Sequence, residues 1–260
     1  MPSRQAVLAE RYRDAVIDVR NRVSTRVDRT WRDLGSWDEA DVARFQARVL
    51  PVVQAGQRRT VALTDAYLAR ATRTRPVGLV ADDLIGAAVR NGTDPADVYR
   101  RPFVQLWTAL SNGAQFMDAM NAAGVRAAQS ASSDVSLSMR ASADAFQEQA
   151  TGPVESDIIG WERVLDPDAC AYCATASTQR YRSANLAPIH VNCQCGIAPV
   201  FAENDRAIKD FNRQVLRNIK DANAGADRPY WEARHFRVDG TTGEVILPEV
   251  AVHEHGELGA

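Results

Sequence analysis

A chain of 260 residues, 45% of them hydrophobic, is long enough to bury a substantial core and to form more than one unit. Its formal net charge of −2 excludes a polypeptide built mainly to coat nucleic acid. No apolar run approaches the roughly 18 residues of a membrane span, and the start Met1-Pro-Ser-Arg-Gln5 has no hydrophobic signal core, so the expectation is a soluble protein made in a cytoplasm, with no membrane partner.

Residues 3–34 carry Leu8, Tyr12, Val16, Val19, Val23, Val27, Trp31 and Leu34 at spacings of three and four, which predicts a long amphipathic helix ended by Gly35. Ser36-Trp-Asp-Glu39 reads as a capping box that starts a second helix. Its stripe is Val42, Phe45, Val49, Val52, Gly56, Leu63 and Tyr67, and Pro51 should kink or interrupt it. So short a turn predicts an antiparallel helical hairpin. Residues 1–75 hold fifteen arginines against nine acids, a net of +6, leaving −8 for the remainder. That excess reads either as a solvated face of interspersed charges or as a weak DNA contact through the arginine-rich N-terminal helices.

Pro76-Val-Gly78 breaks the pattern, a short helix is expected near 80–90, and Asn91-Gly92 closes it. Asp94-Pro95 opens another helix, with Asp94 as cap and Phe103, Leu106, Trp107 and Leu110 as its buried stripe. From Ala114 to Ala150 the chain is rich in alanine and serine, and Gly113 and Gly124 weaken the helical signal. Such faces allow close helix contact but bury little area, so packing against another chain is expected there. Residues 1–150 thus read as an all-helical region suited to partner contact.

Thr151-Gly-Pro153 marks a junction, and Ile158 to Leu165 has the branched and aromatic content of a strand. All four cysteines follow, as Cys170-Ala-Tyr-Cys173 and His190-Val-Asn-Cys193-Gln-Cys195. Two short-spaced pairs joined by a loop can turn soft ligands toward one ion and complete a tetrahedron. The candidate ligands are Cys170, Cys173, His190, Cys193 and Cys195, one more than a structural zinc site needs. Disulfides, a Cys/His nucleophilic pair and plain buried thiols are the other readings of the same residues. A catalytic zinc would need an open position and a neighbouring acid or base, and the sequence names neither.

Asp166-Pro-Asp-Ala-Cys-Ala-Tyr-Cys173, Pro188-Ile-His-Val-Asn-Cys-Gln-Cys195 and Pro199-Val200 together resemble the phage Mu F-like minor head protein family over about residues 150–202. The family pattern has proline where Val191 stands and arginine where Gln194 stands, and neither departure removes a candidate ligand. The resemblance implies a minor capsid protein of a tailed phage, assembled near the portal inside the procapsid, in contact with portal protein or major capsid protein. It implies a place in the host cytoplasm during assembly and then in the virion head interior, with a role in head assembly and DNA delivery. Similar proteins of actinobacterial phages are described as capsid maturation proteases, which is the alternative activity.

Ser177 to Tyr181 is expected as a hairpin strand and Gly196 to Phe201 as a closing strand, a small sheet around the metal site. A helix over 203–221 presents Ile208, Phe211, Val215 and Ile219 on one face. Turn signals at Asp239-Gly240 and Thr242-Gly243 predict strands at 235–238 and 244–247. His235 reads as ordinary packing, and His253-Glu-His255 as a solvated tail, because its spacing is not that of two ligands on one helix face. No Gly-x-Ser-x-Gly elbow, phosphate-binding glycine loop or Rossmann fingerprint occurs, and the serines at 130–142 lie in predicted helix. No catalytic residue is assigned. The expected fold is α+β: a helical region over 1–150, a zinc-stapled Cys/His β module over 151–202, and a helix with a loop-rich tail over 203–260.

Overall fold

The computed structural model describes residues 4–150, 158–166, 169–184, 186, 188–189, 193–224, 237–240 and 242–246. The fold is α+β and mostly helical; the described residues also form two small antiparallel sheets, and the last helix lies between the final strand of the first sheet and the last two strands of the second. The chain groups into two units. One, the helical unit, joins Asp14–Arg70 to Arg75–Phe146; the other, the cysteine unit, joins Met1–Arg13, Ala71–Thr74 and Gln147–Ala260. These bounds do not coincide with a division at 150 and 202. Gln5 accepts from Asn204 Nδ2 at 2.7 Å and Gln147 accepts from the Ala184 amide at 3.3 Å, so both helix ends pack with the cysteine unit.

Helix α1 spans Arg4–Arg32. Tyr12, Val16, Val23, Val27 and Trp31 are buried along it, while Leu8 and Val19 are half-buried. The stripe also contains Arg20, buried because its Nε and Nη2 donate to Ser132 Oγ at 3.0 and 2.8 Å.

Helix α2 spans Glu39–Ala71. Its cap lies two residues beyond the expected pair. The Asp38 carboxylate accepts from the Asp41 amide at 2.9 Å, and Asp41 Oδ2 reaches back to the Ser36 and Trp37 amides at 2.9 and 2.7 Å. Two aspartates therefore make the reciprocal cap read from Ser36 and Glu39. Glu39 instead pairs with Arg100. Pro51 does not interrupt the helix. It withholds a bond from the Ala47 carbonyl, but both residues are exposed, where water can serve that oxygen. Beyond it the buried face passes through Val53, Val61 and Leu68 rather than Val52 and Leu63.

Two 3-10 turns, Ala81–Leu84 and Gly86–Arg90, replace the single short helix, since Ile85 is extended and Gly86 takes φ 59° between them. Helix α3, Pro95–Ser111, is capped as expected: Asp94 Oδ1 accepts from the Ala96 amide at 2.8 Å. Phe103 and Leu106 are buried, with Val98 and Tyr99, whereas Leu110 is exposed.

Helix α4 runs unbroken over Phe116–Gln149. Its small-residue stripe needs no second chain. Ala119, Ala123, Ala127, Ala131, Val135 and Ala143 are all buried within this one, and Ser24 Oγ of α1 donates to the Ala128 carbonyl at 3.2 Å.

In the cysteine unit, β1 (Ile158–Val164) pairs antiparallel with β3 (Gly196–Phe201). Strand β2 (Ala169–Cys170) pairs with β4 (Arg237–Val238), which pairs with β5 (Val245–Ile246). The strand pair expected at 235–238 and 244–247 is present as β4 and β5, and the short strand Ala169–Cys170 joins it to make a second sheet. Ser177 does not begin a strand; it ends helix α5, Ala171–Ser177, and Tyr181 makes a single bridge to Trp161. Helix α6 spans Asp205–Ala222. The Asp239-Gly240 and Thr242-Gly243 signals form the β4–β5 turn, where the Asp239 amide donates to the Glu244 carbonyl at 2.9 Å.

Candidate metal centre

The first cysteine pair sits at a strand-to-helix junction. Cys170 ends β2 and takes the cap position of α5, where its Sγ accepts from the Cys173 amide at 3.4 Å. A Cys-x2-Cys spacing puts the second cysteine at the third helical position, the one whose amide a cap side chain normally serves. Tyr172 between them faces outward, while Ala171 and Ala174 are buried beneath. The second pair lies just before β3, with Cys193 and Cys195 buried and Gln194 between them half-buried.

These segments meet in one core. Leu165, Cys170, Cys173, Cys193, Cys195 and Val238 pack together, covered by Val215 and Ile219 of α6. The apolar face read from the sequence of α6 therefore packs on the cysteines. Arg13, from the first turns of α1, donates to the Leu165 carbonyl at the edge of the same unit.

The sulfurs of Cys173, Cys193 and Cys195 lie within 4.8 Å of one another, close enough to bind a metal ion. Cys173 Sγ and Cys193 Sγ are 3.8 Å apart. Zinc–sulfur bonds of about 2.3 Å in a tetrahedron set its edges at about 3.8 Å, whereas a disulfide requires about 2.0 Å. All four cysteines are free thiols. Cys170 touches Cys173 but is outside the group of three. His190 lies outside the described residues, as do His235, His253 and His255.

Contact with Cys170, then with Cys193 and Cys195, together with burial, pushes the Cys173 thiol far above its ordinary range. Cys195 is held down by Cys173, but contact with Cys193 and burial outweigh this and its thiol is pushed up to about 12. Hydrogen bonds from Cys173 and Cys195 hold Cys193 low. The three thiols therefore do not ionise together, because like charges so close in a buried site repel. A divalent cation offsets that repulsion, since a coordinated thiol gives up its proton. The donor set fits a thiophilic metal.

No family model, curated protein or solved structure matches the chain.

Other polar groups found by the structure serve packing. In the helical unit Asp134 accepts from Arg90 Nε at 2.5 Å and from the Tyr99 hydroxyl at 2.7 Å, beside a cavity of about 10 Å³. That volume holds about one water and no substrate. Burial raises the Asp134 carboxyl, against the lowering by Arg90 and Tyr99, and burial with the Asp134 charge raises Tyr99. No periodicity announces this pair, because Asp134 sits among small residues of α4 and Arg90 on a 3-10 turn. The arginines of α1 and α2 interleave with acids: Arg22 with Asp18, Arg32 with Asp28, Arg44 with Asp41 and Arg58 with Asp82. Among the described residues no helix is long and apolar enough to cross a membrane.

Proposed function

We propose that this chain is a minor head protein of a tailed phage, with a structural role in head assembly and DNA delivery. In this reading a zinc ion, held by Cys173, Cys193 and Cys195 with Cys170 or His190 as fourth ligand, staples the cysteine unit. Zinc bound there supplies folding free energy and closed coordination. The helical unit then contacts portal protein or major capsid protein, first in the host cytoplasm and then inside the head. What carries the reading is that Cys173, Cys193 and Cys195, three residues of the motif resembling the Mu F-like family, converge in one buried cluster.

The test is co-expression with the coat and portal proteins of the same phage, followed by intact-mass analysis of assembled heads. A structural role predicts full-length coat protein with this chain retained on the heads. Coat protein shortened only when this chain is present contradicts it and makes the chain a maturation protease.

A further inference from the structure

Among the described residues, exposed large hydrophobic side chains are not spread evenly. Val104 and Leu110 on α3 and Phe116, Met117 and Val125 on α4 are exposed, and Met117 and Val125 show 58% and 54% of their surfaces. These five crowd onto a single helical hairpin, whereas Val80, Ile159 and Tyr172 are scattered elsewhere. Patches of this kind mark interaction surfaces. One of the five, Val104, lines an open groove of about 400 Å³ together with Gln105, Thr108, Ala109 and Asn112 of α3, and Arg101 of α3 and Arg126 of α4 line it as well.

The charges on the groove are one-sided. Arg101 and Arg126 both line it, and no carboxylate does. Arg126 Nη1 donates to the neutral Gln105 Oε1 at 3.3 Å, while the adjacent Arg100 is taken by Glu39. Neither groove arginine has a carboxylate partner among the described residues. A second copy docking the same face on itself would bring arginines against arginines, which disfavours a symmetric dimer there.

We propose that the α3–α4 groove is a docking site for an acidic amphipathic helix of a partner protein. Its apolar ridge would lie over Val104 and Ala109, and its flanking carboxylates would pair with Arg101 and Arg126. The inference stands on this surface alone and survives if the head-protein reading fails.

The test uses the full chain and a synthetic helical peptide with leucines on one stripe and glutamates flanking it, set against the same peptide with lysines for glutamates. Fluorescence anisotropy should show saturable binding of the glutamate peptide and at least tenfold weaker binding of the lysine peptide. Arg101→Glu with Arg126→Glu should reverse that preference, and Val104→Glu should weaken both peptides. All three positions are exposed, so unchanged melting is expected of the variants. Equal binding of the two peptides, no binding of either, or self-association of the chain lost in the same variants would overturn the proposal.

Discussion

The indole of Trp31 occupies the space beside Gly124 so closely that a Cβ there would lie 2.7 Å from Cδ1 and 2.9 Å from Nε1 of the ring. The same Nε1 donates to the Met120 carbonyl at 3.0 Å, and the ring makes edge contacts with Phe45 and Phe103. Held on so many sides, Trp31 cannot yield. Gly124→Ala should therefore destabilise the helical unit by about 1–3 kcal/mol from overpacking, partly offset by about 1 kcal/mol of helix propensity. Urea unfolding in a Trp31→Leu background checks the cause: there the alanine should be neutral or stabilising.

Asp134 is the hub of the buried polar contacts in that unit. Asp134→Ala leaves Arg90 and Tyr99 without their shared acceptor and should cost about 2–4 kcal/mol in chemical denaturation. Tyr99→Phe removes one neutral donor only, and its cost should be nearer about 1 kcal/mol.

Glu162 on β1 is raised by burial from 4.5 to about 7, with Arg180 lowering it in part. Between those values the folded chain keeps a proton that the unfolded chain has lost. The stability this group contributes is thus full below about pH 4.5 and lost as pH rises through about 7. Glu162→Gln should gain stability relative to the parent from pH 5 to pH 8, by on the order of 1–3 kcal/mol. Thermal melts of both proteins across that range measure the difference; parallel pH profiles would contradict it.

Arg13 ties the start of α1 to the Leu165 carbonyl, next to the strand that leads into the cysteines. Its Cβ also lies 3.0 Å from where a Cβ on Gly196 would stand. Arg13→Ala should lower the stability of the cysteine unit by about 1–3 kcal/mol. Faster amide exchange over 158–201, with the Asp14–Arg70 amides unchanged, would locate the loss.

Much of this was legible because the signals were local. Heptad-like spacing marked α1, Asp94-Pro95 marked the start of α3, and the two cysteine pairs marked the core of the second unit. The parts that escaped depend on partners remote in sequence. Arg20 reads as surface, yet it is buried through Ser132, and the alanine face of α4 reads as half an interface until α1 covers it. Helix α5 has only seven residues, too few for a periodicity, and its cap is a cysteine sulfur instead of the usual oxygen. At the start of α2, Ser36 and Glu39 have the right spacing, but Trp37 takes φ 52° and turns the chain so that Asp38 and Asp41 form the cap.

The metal content of the purified chain, measured by inductively coupled plasma mass spectrometry without added metal, bears most directly on the cysteine centre. About one zinc per chain is expected, lost in Cys173→Ser together with cooperative melting of the cysteine unit. A metal-free chain whose melt is unchanged by Cys173→Ser or by chelator would contradict a zinc-stapled core.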